Sequence, residues 1–489
     1  MTNQTNIATI MQWRLLPKWL GGRSIAFFFI AMLACWVAFG YVPGLDILLA
    51  ASISVVLFFG VGQTMAIKWV RTSEKLFMRN VFISGLVIRL VWVIYMYFIF
   101  NPEHYGNTYG DTADVDWFMS FGMGLADWIR GTTNYTLSQV IDVYMSAIDD
   151  VGYPMWLAVE YVLTGGLSYV FIPMLVKCLV GAYCAICVYR ITKRHFGEGT
   201  ARIAAIFVCL NPNMIYWCAS MMKEAEMVFV CCLAVDKLDK ALSSGQKLTL
   251  RALWPGLLAG LVLFFMRTAL GLALFMGVLA HLVFASKHVI SSGKKLIAGV
   301  LVVMTLFVGV GDRIITQSKG YIETIQSDAQ QKNMEWRAER EHGNSLAKYA
   351  GAVVFAPLIF TIPFPTLNAA DSLQLLQIQL AGGSYIKNIL SFFVVSVLFI
   401  LLLSGEWRKH VFILAYMCAY LAVLVFSGFA QSGRFHMPIW PMLMLFAAYG
   451  VQLAKTNKRM RTWFTYVLFA EVIICLAWNW FKLAGRGMV

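Results

Sequence analysis

Apolar runs close to twenty residues long recur along almost the whole chain, and no other feature of the sequence constrains the fold as strongly. A hydrocarbon layer about 30 Å thick is crossed by roughly 20 helical residues. A backbone inside that layer must satisfy its own hydrogen bonds, so repeated runs of this length specify an all-α polytopic membrane protein. The runs fall near 24–42, 45–67, 81–100, 168–191, 201–221, 223–240, 252–266, 269–285, 296–311, 386–403, 411–430, 438–454 and 462–481, which gives about 13 transmembrane helices. Of 489 residues, 60% are hydrophobic and 13% charged, and the mean hydropathy is +0.70. A soluble chain of this length has no need of so much apolar surface.

The net charge of +14 does not point to nucleic acid, because the basic residues sit in short loops between apolar runs, where they report orientation. The clusters at 14–23, 68–79, 193–194, 237–251, 287–295, 408–410 and 455–461 all fall on one side if the 13 runs cross in turn. That side is cytoplasmic, the N-terminus included. Arg14, Lys18 and Arg23 precede the first run without a small-residue cleavage site, so the run reads as a retained span and not a signal peptide. The opposite side receives the acidic loop 101–154, the polar segment 312–385, Lys223-Glu224, Arg267 and Arg434-Phe435-His436. Helices are expected within the outer loop at 112–130 and 136–149, and 155–164 is apolar but too short to cross. Asn211-Pro212 should kink the run that holds it, since proline removes a backbone donor. Pro357, Pro363 and Pro365 should break 353–365 into a segment that dips into the membrane or lies on it. The ten cysteines lie in apolar runs and form neither a disulfide framework nor a plausible zinc site; Cys184 and Cys187 have CxxC spacing but read as packing.

The outer loop carries Asp111, Asp114 and Asp116. Acidic groups at this spacing suit the start of a helix, as cap and first-turn residues. A carboxylate held there can also serve as general base toward an attacking hydroxyl, and two or three together can hold a divalent cation such as Mg or Mn. Lys223 and Glu224 open an apolar run, where they form either a surface ion pair or a contact for a lipid phosphate. Arg267 interrupts an apolar hairpin, and Arg434 and His436 share a short turn. Each suits an interfacial anchor, and with Lys223 they suit a cluster that neutralises a departing phosphate. Arg89 lies in the middle of a run, where a charge must face the protein interior, either in structural pairing or in the site.

The order of these features resembles the GT-C superfamily of integral-membrane glycosyltransferases. An arginine-bearing span precedes Gly110-Asp111-Thr112. Then come Gly152-Tyr153-Pro154, the stretch 189–197, Ala201-Arg202-Ile203, Asn211-Pro212 and Lys223-Glu224-Ala225. The hairpin from Gly260 to Arg267 follows, and Gly433–Pro438 and Ala447–Gly450 close the series. The likeness covers roughly residues 80–455, preceded by two transmembrane helices in 1–79 and followed by one in 456–489. It implies inverting transfer of a hexose or pentose from a polyprenyl-phosphate-linked donor to an extracytoplasmic acceptor that is lipid, glycan or protein. It also implies a base in the first outer loop, here Asp111, and a place in the inner (plasma) membrane of a bacterium, in cell-envelope polysaccharide chemistry. Substrate contacts would fall to Lys223, Glu224, Arg267, Arg434, His436 and Arg89. A transporter of lipid-linked saccharides would instead show internal repeats and midplane charges; a polymerase or assembly component would share the substrate class.

Overall fold

A computed structural model of the chain describes residues 15–40, 45–110, 113–144, 151–243, 249–284, 356–368, 379–426, 430 and 432–484. Asp111, the run at 296–311 and the polar segment 312–347 therefore lie outside the described residues. Within them the only regular structure is helix. Among the described residues, eight helices are long and apolar enough to cross a membrane.

The chain opens with α1, Lys18–Phe39. Next, α2, Leu45–Val56, continues through a π turn at Leu57–Val61 into Gly62–Trp69. Then α3, Glu74–Tyr95, passes through a second π turn, Met96–Phe100, into Asn101–Tyr105. Ser73 caps α3 by accepting the Leu76 N–H. The outer loop contributes α4, Ala113–Arg130, and α5, Leu137–Tyr144, followed by α6, Gly152–Leu163. At 12 residues α6 does not cross, as its length dictates.

The expected spans at 168–191 and 201–221 form a single run of helix, α7, Phe171–Cys209, bent at Gly197. Gly197 has φ +81 and ψ 175, a conformation glycine alone adopts cheaply, and the chain doubles back there. The returning segment, 198–209, is about 18 Å of helix at 1.5 Å per residue, well short of the bilayer. Pro212 does more than kink it. Asn211 accepts the Met214 N–H and starts a new short helix, α8, Pro212–Tyr216, with proline at its tolerated first position. The helix end left inside the protein is satisfied by Arg89. Its guanidinium, fully buried, donates to the carbonyls of Cys209 at 3.1 Å and Val208 at 3.5 Å, and to Gly85 on its own helix at 3.0 Å.

From there α9, Glu224–Ser243, carries too much charge to face lipid along its length, and most of it is buried against protein. The hairpin of α10, Leu250–Met266, and α11, Thr268–Phe284, has 17 residues in each arm. The described part of the proline-broken segment holds one 3-10 turn, Ala356–Leu358, and otherwise no helix. Buried polar side chains hold it: Lys387 donates to the Ile362 carbonyl, and Asn479 accepts the N–H groups of Leu367 and Asn368. The remaining helices are α12, Ala381–Ser404, α13, Val411–Phe426, α14, Gly433–His436, α15, Trp440–Ala454, and α16, Lys458–Ala484. α16 packs on α1 through Trp19–Phe464 and Phe27–Phe469 ring contacts.

Ion pairs fix the relative direction of the central helices. Lys177 near the start of α7 pairs with Glu226 near the start of α9 at 2.6 Å. Arg194, lower on α7, pairs with Asp236 at 2.8 Å and Asp239 at 2.6 Å. The two helices therefore descend side by side. At their lower end lie Lys193 with Glu74 and Glu198, and Arg202, which donates to the Trp69, Val70 and Thr72 carbonyls.

If Arg89 seals the buried helix end, Arg89→Leu strands the Cys209 carbonyl in apolar surroundings, at about 1–3 kcal/mol, while the Val208 carbonyl keeps the Asn211 N–H. Thermal denaturation of the purified protein in detergent should show a marked loss of stability. A variant melting with the parent would remove this role.

Candidate active site

Five separate stretches of sequence meet at the upper ends of α7 and α9. The loop above α3 is held by its own side chains. Asn107 accepts the N–H groups of Tyr109 at 2.9 Å and Gly110 at 2.7 Å, and donates to the Gly110 carbonyl at 2.9 Å; Asn101, buried, donates to the Thr108 carbonyl. The chain is thus held in place through Gly110, the residue before Asp111. Two residues beyond Asp111, α4 begins, with Asp114 and Asp116 in its first turn. There they complement the helix dipole, and each also has a partner. Asp114 receives a hydrogen bond from Arg434 at 3.0 Å. Asp116 takes one from the Tyr109 hydroxyl, which raises the phenol above its ordinary range.

The turn before α9 is fastened from two sides. Tyr153 on α6 donates its hydroxyl to the Met221 carbonyl at 3.1 Å, and Lys177 donates to the Met222 carbonyl at 2.6 Å while pairing with Glu226. Lys177 also lies 4.7 Å from the Tyr153 ring centre. Both members of the Lys177–Glu226 pair are fully buried, which a protein sustains only when each charge is matched and hydrogen-bonded. Lys223 follows at once, buried, with its ammonium 5.6 Å from the centre of the Phe118 ring of α4.

Arg267 sits between α10 and α11. Its position is set by Gly152, where a Cβ would come within 2.7 Å of the Met266 nitrogen and 2.8 Å of the Phe265 carbonyl carbon; only glycine lets α6 start against the end of α10. Arg267 donates to the Tyr420 hydroxyl at 3.2 Å, and Tyr420 donates to the Phe435 carbonyl at 3.0 Å. The guanidiniums of Arg267 and Arg434 lie 4.4 Å and 5.2 Å from the centre of the Phe435 ring. Arg434 completes the group. Besides Asp114 it approaches the fully buried Glu224, with Nε 3.2 Å from Oε1, although that N–H does not point at the oxygen and no hydrogen bond forms.

The structure therefore brings Lys223, Glu224, Arg267 and Arg434 together with Asp114 and Asp116, and separates two of the expected residues from them. Arg89 is engaged with the carbonyls that end 198–209. His436 faces the other way, buried, its Nε2 on the Ala430 carbonyl at 2.7 Å and its Nδ1 receiving Lys387 at 2.7 Å. Both ring nitrogens are used. Asp114 and Asp116 each have a protein partner, and among the described residues no three His, Cys, Asp or Glu side chains gather as a metal site requires; Asp111, the third carboxylate of the cation site considered from sequence, lies outside those residues. Residues that sequence reading passed over are Lys177, Glu226, Glu160, Tyr420 and Phe435. Lys177 and Glu226 carried a usable signal, since a lone charge in an apolar run marks either a buried partner or a site.

Glu160 on α6 underlies this group. It accepts the Trp156 indole N–H at 2.6 Å. Burial, and then the neighbouring Glu226 carboxylate, push it up to about 8, against the opposing pulls of Trp156 and Lys177. The folded protein thus keeps a proton that the unfolded chain releases near 4.5. The resulting stabilisation is complete below about pH 4.5 and is lost as pH rises through about 8. Melting temperature measured from pH 5 to 8.5 should fall in this window. Glu160→Gln should flatten the slope by up to ~1.4 kcal/mol per pH unit. Identical slopes in the two proteins would show that Glu160 does not carry the effect.

No curated protein and no solved structure matches the chain. A protein-family comparison does match, over residues 147–339. The described part of that stretch runs from α6 through α11 and contains Tyr153, Lys177, Lys223, Glu224, Glu226 and Arg267. This stretch matches the model of the Alg9-like mannosyltransferase family, a membrane glycosyltransferase family of GT-C type, and so bears out the resemblance read from the sequence.

Proposed function

We propose that the chain transfers a hexose from a polyprenyl-phosphate-linked donor to an acceptor hydroxyl at the outer face of the membrane, with inversion. The acceptor oxygen attacks C1 of the donor sugar and gives its proton to the carboxylate of Asp111. The bond from C1 to the phosphate oxygen breaks, and polyprenyl phosphate leaves with the electron pair. Arg267, Arg434 and Lys223 take up the charge that develops on it, a role suited to fixed cations in a site shielded from water. Asp114 steers Arg434 and borders the loop that bears the base. The activated donor supplies the free energy, so no nucleotide is consumed. The observation that supports this reading is the convergence of three cations, from 223, 267 and 434, beside the helix that begins two residues after Asp111. The family match over 147–339 supports glycosyl transfer from a lipid-linked donor in general. The hexose, the inversion, the base and the outer-face acceptor are our own assignments.

Asp111→Asn keeps the size and capping ability of the side chain, since asparagine caps a helix about as well as aspartate, and removes the proton acceptor. It should leave membrane level and melting temperature unchanged while transfer falls about a hundredfold or more. A residue that only caps gives the reverse pattern, with Asp111→Asn nearly silent and Asp111→Ala losing about 1 kcal/mol of stability. In the same assay, Arg267→Ala and Arg434→Ala should each reduce donor use by roughly tenfold or more at near-normal expression. Donor dependence unchanged in both variants would take these residues out of the site.

A further inference from the structure

Among the buried carboxylates of the described residues, Glu224 is the one with neither oxygen hydrogen-bonded; Glu160 and Glu226 each have one oxygen bonded and one without a partner. Glu224 is fully enclosed, and Arg434 balances its charge from 3.2 Å without giving it an N–H. An enclosed carboxylate with its acceptor sites unused is costly, and the deficit specifies what would relieve it. A phosphate would be repelled by it, and a polyprenyl tail has no donors. Cations already stand beside it in Arg434 and, next in sequence, Lys223. Neighbouring hydroxyl groups are the remaining chemistry: two O–H donors on adjacent carbons can each reach one carboxylate oxygen.

We propose that Glu224 determines sugar specificity by accepting hydrogen bonds from two adjacent hydroxyls of the donor sugar. This rests on the glycosyltransferase reading. A sugar joined directly to the phosphate that Arg434 engages is carried to the carboxylate that lies 3.2 Å from that arginine. Arg434 closes Glu224 off in the resting arrangement, and its other partner, Asp114, is half exposed. A phosphate that draws Arg434 toward itself therefore uncovers Glu224 at the moment the attached sugar arrives.

The test measures binding to the purified full chain in detergent. The probes are polyprenyl-phosphate mannose, its analogues lacking one ring hydroxyl each, and polyprenyl phosphate alone. In the parent protein, loss of either of two adjacent hydroxyls should weaken binding by roughly tenfold or more. Glu224→Gln should weaken the mannosylated lipid by a similar factor, cease to distinguish those two analogues, and bind sugar-free polyprenyl phosphate as the parent does. The proposal is overturned if the parent binds every analogue as tightly as the mannosylated lipid, or binds that lipid no tighter than the bare phosphate. It also fails if Glu224→Gln loses the bare phosphate equally, because Glu224 would then act only by holding Arg434. Binding of neither lipid by the parent would sink the glycosyltransferase reading itself. The analogue series on the parent needs no substitution, so it decides the matter even where the variant folds poorly.

Discussion

A helix that stops inside an apolar bundle leaves carbonyl groups that no water can reach, and the arrangement of this protein depends on how one such end is satisfied. The turn at Gly197 sends 198–209 back between its neighbours, and the chain then leaves helix before it has crossed. Arg89, reaching from α3, donates to the two last carbonyls. Irregular backbone at membrane depth is tolerated only where protein groups replace the missing hydrogen bonds, so the arginine makes the break possible. Beyond the break, α8 and the turn after it complete the climb to the upper end, where Lys223 and Glu224 open α9 and where Tyr153 and Lys177 fasten the Met221 and Met222 carbonyls.

The buried ion pairs divide the remaining work. Lys177–Glu226 above and Arg194 with Asp236 and Asp239 below fix α9 against α7 at both ends. Removing one member of such a pair leaves an uncompensated charge, which costs far more than the intact pair contributes. Their value here is register: a slide of one helix along the other would separate both sets at once. His195 extends the lower set, bonding Asp239 at 2.7 Å and His410 at 2.8 Å, so α13 is tied to the same frame. With α7, α9 and α13 set relative to one another, Tyr420 on α13 can reach both Arg267 and the Phe435 carbonyl.

Much of this was legible in the chain. Hydropathy gave an all-helical membrane protein, and the spacing of single polar residues brought out Lys223, Glu224, Arg267 and Arg434. The span count was less legible, for physical reasons. Length and hydropathy describe a helix surrounded by lipid, whereas α9 is surrounded by protein and can carry charge at both ends, and 198–209 is helical without being long enough to cross. Side-chain direction was not legible at all. His436 lies two residues from Arg434 in one short helical turn, yet it points into the core toward Lys387. Arg89 looked as suitable for a phosphate as Arg267, and only the position of the Val208 and Cys209 carbonyls separates the two.

Arg434 shows why a site of this kind keeps carboxylates among its cations. A guanidinium at the edge of an apolar bundle with no anion nearby would be drawn toward water, and three cations held together would repel one another. Asp114 and Glu224 remove both difficulties, one from the surface and one from the interior, and Phe435 offers its ring face to Arg267 and Arg434 together. The pairing is asymmetric. Arg434 makes a hydrogen bond to the half-exposed Asp114, where water weakens the attraction; toward the buried Glu224 it stands close but poorly aligned. In the proposed reaction the donor phosphate would compete with one partner that is screened by solvent and another whose geometry is unfinished. A fully satisfied bidentate pair in the same place would hold the arginine more firmly and leave it less able to exchange. The incomplete pairing keeps the cation in position and leaves it free to change partners, as the proposed transfer from a charged lipid carrier would require.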